Sequence, residues 1–373
     1  MSKKIRVAVL YGGKSGEHEV SLQSAASVIR HLDRDRFEVI PVSIDKQGKW
    51  QWNDLKLIES AQGKALPIFR DSPEMRLAPQ ADGRAALVPT TGNAQSFSDI
   101  DVFFPVMHGP LCEDGAVQGL LELADVGYVG SGILGSAIGM DKDVAKRLAS
   151  LAGIPIAPYV AVTKQGFARN PDASLKAAQA SLTLPVFVKP CNMGSSVGVH
   201  KVKKWDDLAP ALKDAFQYDL KVLVEQGIDA REVEVAVLEG DPLFTSVASE
   251  INASTKHEFY SYEAKYLDAD GATVDLPAKI SDAQMKRVRE LAAQAFTALE
   301  CGGLARVDFF LDRKSGDFYF NEVNTLPGFT SISMYPKMME ASGMPYPKLL
   351  SRLIEIALEK QAQKHALKRE FQA

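Results

Sequence analysis

Two short runs, Arg306-Val307-Asp308 and Asn321-Glu322-Val323-Asn324, flank a polar turn at residues 312–317 and alternate charged or amide side chains with apolar ones. The alternation predicts two antiparallel strands. Pairing Asp312 with Phe318 around a five-residue loop sets Asp308 opposite Glu322 and Arg306 opposite Asn324, all on one sheet face. Two carboxylates facing each other across a ladder repel unless a cation lies between them. Hard oxygen donors of this kind suit Mg²⁺, with Mn²⁺ as a second possibility, and Mg²⁺ usually completes its shell with substrate phosphates, so the set implies a nucleotide. Asp308, Glu322 and Asn324 have donors enough for two ions, with Glu322 bridging. The competing reading is a solvated hairpin face; Phe309, Phe310, Leu311 and Phe320 argue against it, because they mark a pair buried on at least one side.

Two glycine-rich turns carry further candidates. Lys189-Pro190-Cys191-Asn192-Met193-Gly194-Ser195-Ser196-Val197-Gly198-Val199 joins two apolar runs, and its N–H groups and the Ser195 and Ser196 hydroxyls could close over phosphates. Such a segment is either a plain turn or a ligand flap; Lys189, a cation ending a buried strand and in need of a partner, favours the flap. Gly12-Gly13-Lys14-Ser15-Gly16 follows the first strand and opens a helix, where an anion or a charged ligand is favoured, although a simple strand-to-helix turn explains it equally. It matches neither a Walker A loop, which needs glycine where Ala8 stands, nor the Gly-x-Gly-x-x-Gly fingerprint. Glu17 and His18 end this turn, and His108-Gly109-Pro110 with Glu113-Asp114-Gly115 reach the same carboxyl edge of the sheet, the usual ligand side of an open α/β domain. A lone histidine such as His108 is either structural or catalytic.

The elements that must position these groups follow from periodicity. Residues 5–11, 37–44 and 102–106 are short apolar runs that read as buried strands, and residues 19–32 between the first two have helical spacing, a βαβ opening. Residues 54–99 are polar and irregular, with Pro67, Pro73, Pro79 and Pro89, and read as surface excursions with a short hairpin. A helix over 118–124 precedes the end of a first domain, 1–140. Residues 141–230 form a small α+β unit: a linking helix over 141–152, strands at 185–189, 199–202 and 222–225, and a helix at 205–216. Residues 231–373 hold strands at 233–238 and 243–248, a polar lid-like loop at 252–270, a helix at 281–299, the 304–324 hairpin and an amphipathic helix from Pro347. The fold class is thus α/β and α+β: an N-terminal Rossmann-like open sheet followed by two α+β subdomains.

At 373 residues the chain suits two or three cores meeting at a cleft. Its 46% hydrophobic and 24% charged residues describe a soluble globular protein, and a net charge of -4 argues against nucleic acid as partner. Three widely spaced cysteines indicate neither a disulfide framework nor a thiolate zinc site and fit the reducing cytoplasm. The basic opening is followed by an apolar run too short for a signal peptide, and no stretch is apolar enough to span a membrane.

In this order the motifs resemble those of the D-alanine:D-alanine ligases, a family of ATP-grasp enzymes, over nearly the whole chain. The resemblance rests on Gly12-Gly13-x-Ser15-x-Glu17-x-Glu19-Val20-Ser21, His108-Gly109, Met140-Asp141-Lys142, Lys189-Pro190 with Gly194-Ser195-Ser196-Val197-Gly198, Tyr262-Glu263-Ala264-Lys265-Tyr266, Arg306-Val307-Asp308 and Asn321-Glu322-Val323-Asn324-Thr325-x-Pro327-Gly328. It implies the two-subdomain ATP-grasp fold, with ATP between the subdomains: Lys142 and Lys189 on phosphates and base, Ser195, Ser196 and Asn321 among the nucleotide contacts, Glu225, Gln226, Gly227 and Ile228 along adenine, Glu232 on the ribose, Lys265 on the γ-phosphate, and Asp308, Glu322 and Asn324 on the metal. It further implies Glu17 on the first substrate's ammonium, Arg306 and the Gly328 N–H as oxyanion donors, Ser333 and Met334 at the second substrate's carboxylate, His108 beside them, and a Glu17–Ser195–Tyr266 hydrogen-bonded set. Two D-alanines would be joined through an acyl phosphate in the cytoplasm, by a homodimer. Departures are few: Met334 where leucine is common, a longer 312–317 turn, and an insertion at 54–99 typical of the longer subgroup. Tyr266 favours an amine over a hydroxy acid as second substrate. Competing expectations are a ligase of L-amino acids, a nucleotide-binding regulator without chemistry and, against the missing fingerprint, a dehydrogenase.

Overall fold

The computed structural model describes residues 3–60, 65–68, 71–79, 85–92, 95–253 and 272–368. The first sheet is built on Ile5–Gly12, Phe37–Ile44 and Val102–Val106, whose continuous apolar runs are buried on both faces, as parallel strands require. Val7 pairs with Val39 on one side and Val102 on the other. The helix His18–His31 covers one face with Ala25, Val28 and Ile29, and Ala116–Leu123 covers the other with Val117 and Leu121. Among the described residues the sheet has seven strands: Gly127–Tyr128 lies beyond Val102–Val106, and Trp50–Trp52 with the hairpin Glu74–Pro79/Ala85–Pro89 extends the opposite edge. The short hairpin expected within 54–99 is found, and it extends the main sheet. Met75 and Leu87 alternate inward against Leu10, Ile40 and Phe103, while Pro79 and Pro89 end the two outermost strands, where a missing N–H is tolerated.

A four-stranded antiparallel sheet follows, in the order His200–Val202, Val186–Pro190, Lys221–Gln226, Tyr159–Thr163. Its fourth strand and the helices Lys164–Arg169 and Pro171–Ser181 were not expected; their sequence is too polar to show a period, and the second helix is set by Asn170, which accepts the Ala173 N–H. The third sheet, of six strands among the described residues, runs Ala272–Asp275, Ser249–Ala253, Ala230–Leu238, Leu304–Asp312, Phe318–Asn324, with Phe244–Thr245 also pairing to Ala230–Leu238. The expected 243–248 strand shrinks to those two residues. Alternation, interrupted once in the strand Phe318–Asn324, divides this sheet: Val233, Val235, Val307, Phe309, Phe318 and Phe320 share a core with the helices Asp282–Ala298 and Lys142–Leu151, and Glu232, Glu234, Arg306, Asp308 and Glu322 take the opposite side. A capping box of Ser281 and Gln284 starts that helix.

The helix Met334–Ala341 packs on Ala230–Leu238, and Tyr346–His365 packs beside it on the first sheet. Leu349, Leu350, Leu353 and Ile354 share a core with Val7, Val9, Tyr11 and Phe104. The segment between Asn324 and Ser333 is thereby brought to the carboxyl edge of the first sheet: Phe329 N–H donates to Ser24 Oγ at 3.2 Å and Tyr346 Oη donates to the Phe329 carbonyl at 3.2 Å. No helix among the described residues is long and apolar enough to cross a membrane.

Candidate active site

The four-stranded and six-stranded sheets face each other across a cavity of about 1000 Å³, which the loop after the first strand and the 325–334 segment close at one end. The hairpin on its floor differs from expectation at the turn. Asp312 Oδ1 accepts the Lys314 and Ser315 N–H groups at 2.7 and 2.8 Å, which tightens the loop so that Leu311, not Asp312, pairs with Phe318. A bulge between Asp308 and Phe309 restores the register: Phe309 pairs with Phe320, Asp308 with Glu322, Arg306 with Asn324. Asn321 is the extra residue, and the bulge lets both Asn321 and Glu322 line the cavity while Phe320 and Val323 stay in the core.

Each acidic group on this floor holds an internal cation. Arg306 Nε and Nη2 donate to the two Asp308 oxygens at 2.8 and 2.6 Å, and Arg306 Nε lies 3.2 Å from Glu234 Oε1. Burial would lower the guanidinium pKa, but Asp308 and Glu234 outweigh it and raise it well above the usual range. Lys142 Nζ is 3.1 Å from Glu322 Oε2 and donates to the Met193 carbonyl of the glycine turn at 2.8 Å, so one ammonium bridges floor and lid. Among the described residues no three His, Cys, Asp or Glu side chains stand at metal-binding spacing. The donor set nevertheless suits a hard divalent ion: two carboxylates and the Asn324 amide oxygen, all oxygen, share adjoining positions of one ladder.

The opposite wall is held by an ion triad. Glu225, 1% exposed, lies 2.5 Å from Lys189 Nζ and 2.7 Å from Lys146 Nζ. Burial alone would raise its carboxyl pKa; the two lysines outweigh burial and bring it down to about 2. Lys146, wholly buried, has its pKa lowered by burial in spite of Glu225 and donates to the Phe320 carbonyl at 3.1 Å, tying the wall to the hairpin. Lys189 also lies 5.2 Å from the Phe310 ring and 3.4 Å from Asn321 Oδ1. Gln226, Gly227, Ile228 and Glu232 line the same space.

At the closed end Ser195 Oγ donates to Glu17 Oε1 at 2.5 Å, joining the lid turn to the first loop. Ser195 and Ser196 have left-handed backbone, φ 53° and 57°, a conformation that side chains other than glycine seldom adopt. The two glycine amides that open the turn are used within the protein. Gly12 N–H donates to Ser21 Oγ, Gly13 N–H to the Ile44 carbonyl and Glu17 N–H to Ser15 Oγ, so what the loop offers the cavity is the Glu17 carboxylate. Only glycine fits at position 12: a Cβ there would stand 2.2 Å from the Ile44 oxygen. His108 is buried with both ring nitrogens engaged, Nδ1 donating to the Leu326 carbonyl at 2.9 Å and Nε2 bonded to Ser24 Oγ at 3.0 Å; burial lowers its pKa. It holds the 325–333 segment against the first sheet. Ser333 Oγ accepts the Thr330 N–H at 2.9 Å at the start of Met334–Ala341, and Gly328 lies so close that a Cβ would be 2.7 Å from that oxygen. Tyr262, Lys265 and Tyr266 lie outside the described residues, as does nearly all of the expected lid loop.

Three groups escaped the sequence reading. Lys146, one turn after Lys142, looks like the solvated side of a helix, and Glu234, two residues after Glu232, like the outer face of a strand. Glu113 was noted but given no role; it lies 4.0 Å from His108 Nδ1, and burial and the charge of Glu17 raise its pKa to about 8.

An open α/β sheet followed by two α+β lobes that enclose lysines on one wall and paired carboxylates on the other defines an ATP-dependent ligase of the ATP-grasp class. Sequence comparison specifies the group. The family pattern described as D-ala D-ala ligase N-terminus matches residues 6–131, and that described as D-ala D-ala ligase C-terminus matches residues 148–355. The chain is 68% identical over 371 residues to a D-alanine–D-alanine ligase A of Bradyrhizobium diazoefficiens, covering 100% of both, and 48% identical over 365 residues to a D-alanine–D-alanine ligase of Caldicellulosiruptor bescii, covering 98% of both. Among solved structures it resembles the D-alanine-D-alanine ligase from Coxiella burnetii (TM-score 0.81, 32% identity, 98% of this chain and 97% of that one). It also resembles the VanG D-Ala:D-Ser ligase from Enterococcus faecalis (TM-score 0.80, 36% identity, 95% of this chain and 100% of that one). The chain belongs to the D-alanine–D-alanine ligase family.

Proposed function

We propose that ATP lies in the cavity between the two lobes and that two D-alanine molecules bind at its closed end, between Glu17 and Ser333. The reaction is the ATP-dependent joining of two D-alanines to D-alanyl-D-alanine, a step of peptidoglycan precursor synthesis in the cytoplasm. The observation that supports the site reading is that Asp308 lies opposite Glu322, across the cavity from Lys189 of the Lys146–Glu225–Lys189 triad: carboxylates suited to a metal face a cation suited to phosphate.

Asp308, Glu322 and Asn324 would hold one or two Mg²⁺ ions, or Mn²⁺. An ion held there would supply neutralisation of the phosphate charge during phosphoryl transfer. Lys142 and Lys189 take the phosphates, with Lys265 a further contact, and Ser195, Ser196 and Asn321 close around them. Gln226, Gly227 and Ile228 line the adenine, and Glu232 accepts from the ribose hydroxyls. Glu225 acts through its two lysines. Glu17 accepts the first D-alanine's ammonium, leaving its carboxylate to attack the γ-phosphate. The second D-alanine, its carboxylate at Ser333 and the start of the following helix, attacks the resulting acyl phosphate with its amine. Arg306 and the Gly328 N–H face the oxyanion; removing one such donor typically costs about 2.7–4 kcal/mol of transition-state stabilisation. His108 positions the segment that carries Gly328 and Ser333. Tyr266, with Glu17 and Ser195, links closure of the lid to the substrate.

Phosphate release measured with D-alanine, D-serine and L-alanine, and identification of the product by mass and chirality, tests the reading. D-alanyl-D-alanine with one ADP per bond is expected; activity with L-alanine alone would overturn it. We also propose a homodimer. Leu111, Leu120, Leu123, Ile133 and Leu134 are all exposed, Leu123 to 85%, and lie on or beside two touching helices, Ala116–Leu123 and Ile133–Met140. Leu123→Glu is expected to give monomers by light scattering; an unchanged mass would place the interface elsewhere.

A further inference from the structure

We infer that Glu234 is a positioning residue that holds Arg306 toward the reaction centre when Asp308 turns to the metal. The inference rests on the metal reading proposed above.

Glu234 pairs with Asp308 and Asp308 with Glu322, so three carboxylates form a single row across three adjacent strands. Like charges on neighbouring strands are destabilising, and two of the three suffice as carboxylate ligands for a metal. The third is already engaged: Glu234 is held from the strand on its other side, its Oε2 accepting from the buried Ser249 Oγ at 3.3 Å. Its other oxygen faces Arg306 Nε at 3.2 Å. Arg306 stands in the next row, and its Nε and Nη2 occupy both Asp308 oxygens.

A divalent ion at Asp308 competes for those same oxygens. A guanidinium left without a counter-ion in this enclosed place would follow Asp308 or turn away, and the proposed oxyanion donor would be lost. Glu234, only 5% exposed and fixed on a central strand, supplies a carboxylate that stays with Arg306 through the exchange. Uncharged glutamine fills the same space, so shape and charge can be separated.

The experiment uses the full chain with Mn²⁺ as probe, titrated by electron paramagnetic resonance in the presence of a non-hydrolysable ATP analogue, beside steady-state ADP release with D-alanine. Glu234→Gln is expected to weaken Mn²⁺ binding and to lower kcat, each by about 10- to 100-fold, as loss of a residue supporting a metal ligand does. KM for ATP should stay within about twofold, since no nucleotide contact is removed. Ser249→Ala keeps the charge but removes its anchor and should move both readouts the same way by about three- to tenfold. Wild-type Mn²⁺ affinity in Glu234→Gln overturns the inference, whatever kcat does; should that variant not fold, unchanged readouts in Ser249→Ala overturn it. Asp308→Asn serves as the separate check: if it binds Mn²⁺ like the wild type, the metal reading itself fails, independently of Glu234.

Discussion

Glu322 lies opposite Asp308 and 3.1 Å from Lys142 Nζ, and glutamine there keeps the shape and removes the charge a metal needs. Glu322→Gln is expected to abolish D-alanine-dependent ADP release and to change the melting midpoint by no more than about 2 °C; near-normal turnover would remove it as a ligand. Glu225 makes a pH prediction. Its carboxyl has an ordinary value of 4.5 and a folded value of about 2, so the unfolded chain binds its proton first and acid favours unfolding. Its contribution is complete above pH 4.5 and lost as the pH falls through about 2. Glu225→Gln, which leaves Lys146 and Lys189 without their shared carboxylate, should cost about 3–5 kcal/mol at neutral pH in denaturant titration and flatten the acid limb. Glu113 runs the other way. Its folded value of about 8 lies above the ordinary 4.5, so the folded state holds the extra proton and this group's effect is to lower stability as pH rises between the two. Glu113→Gln, which mimics the protonated form, should make stability less dependent on pH in that window.

At the scale of elements, the tight turn at Gly12 is the point on which the Glu17 carboxylate depends. Gly12→Ala would set a methyl 2.2 Å from the Ile44 oxygen at a φ of 91°, and is expected to cost about 2–4 kcal/mol by denaturant titration and to raise KM for D-alanine, because Glu17 moves with the loop. An unchanged KM would separate loop geometry from substrate binding. Strands and helices with a clean period were legible in the sequence: Phe37–Ile44 is found at its expected bounds, and Asp282–Ala298 fills the expected 281–299. The Asp308–Glu322 pairing was reached by setting Asp312 rather than Leu311 against Phe318, and it holds because the bulge at Asn321 returns the ladder to that register. The bulge was not legible, because whether Asp312 joins the ladder or folds its side chain into the turn is decided by two short hydrogen bonds. Lys146 and Glu234 were illegible for a different reason: their burial comes from a facing wall supplied by distant sequence, and nothing within their own helix or strand distinguishes them from solvated neighbours.

For the whole molecule, the cavity depends on three parts of the chain meeting, and the fastening between the first and the last is the shared core of Val7, Val9, Tyr11 and Phe104 with Leu349, Leu350, Leu353 and Ile354. Leu353, wholly buried far along the chain, is expected to lose about 2–5 kcal/mol on replacement by alanine and to raise KM for D-alanine as the 325–333 segment loosens. Stability loss with unchanged KM would uncouple the helix from the site. The same fastening bears on synthesis. A ribosome that has passed residue 330 has released every strand of the opening sheet, yet part of the apolar face beneath Val7 and Phe104 still awaits Tyr346–His365. Until that helix emerges, the nascent polypeptide exposes a surface that chaperones recognise, and a stop codon placed before it should yield an aggregating product although every strand had been translated.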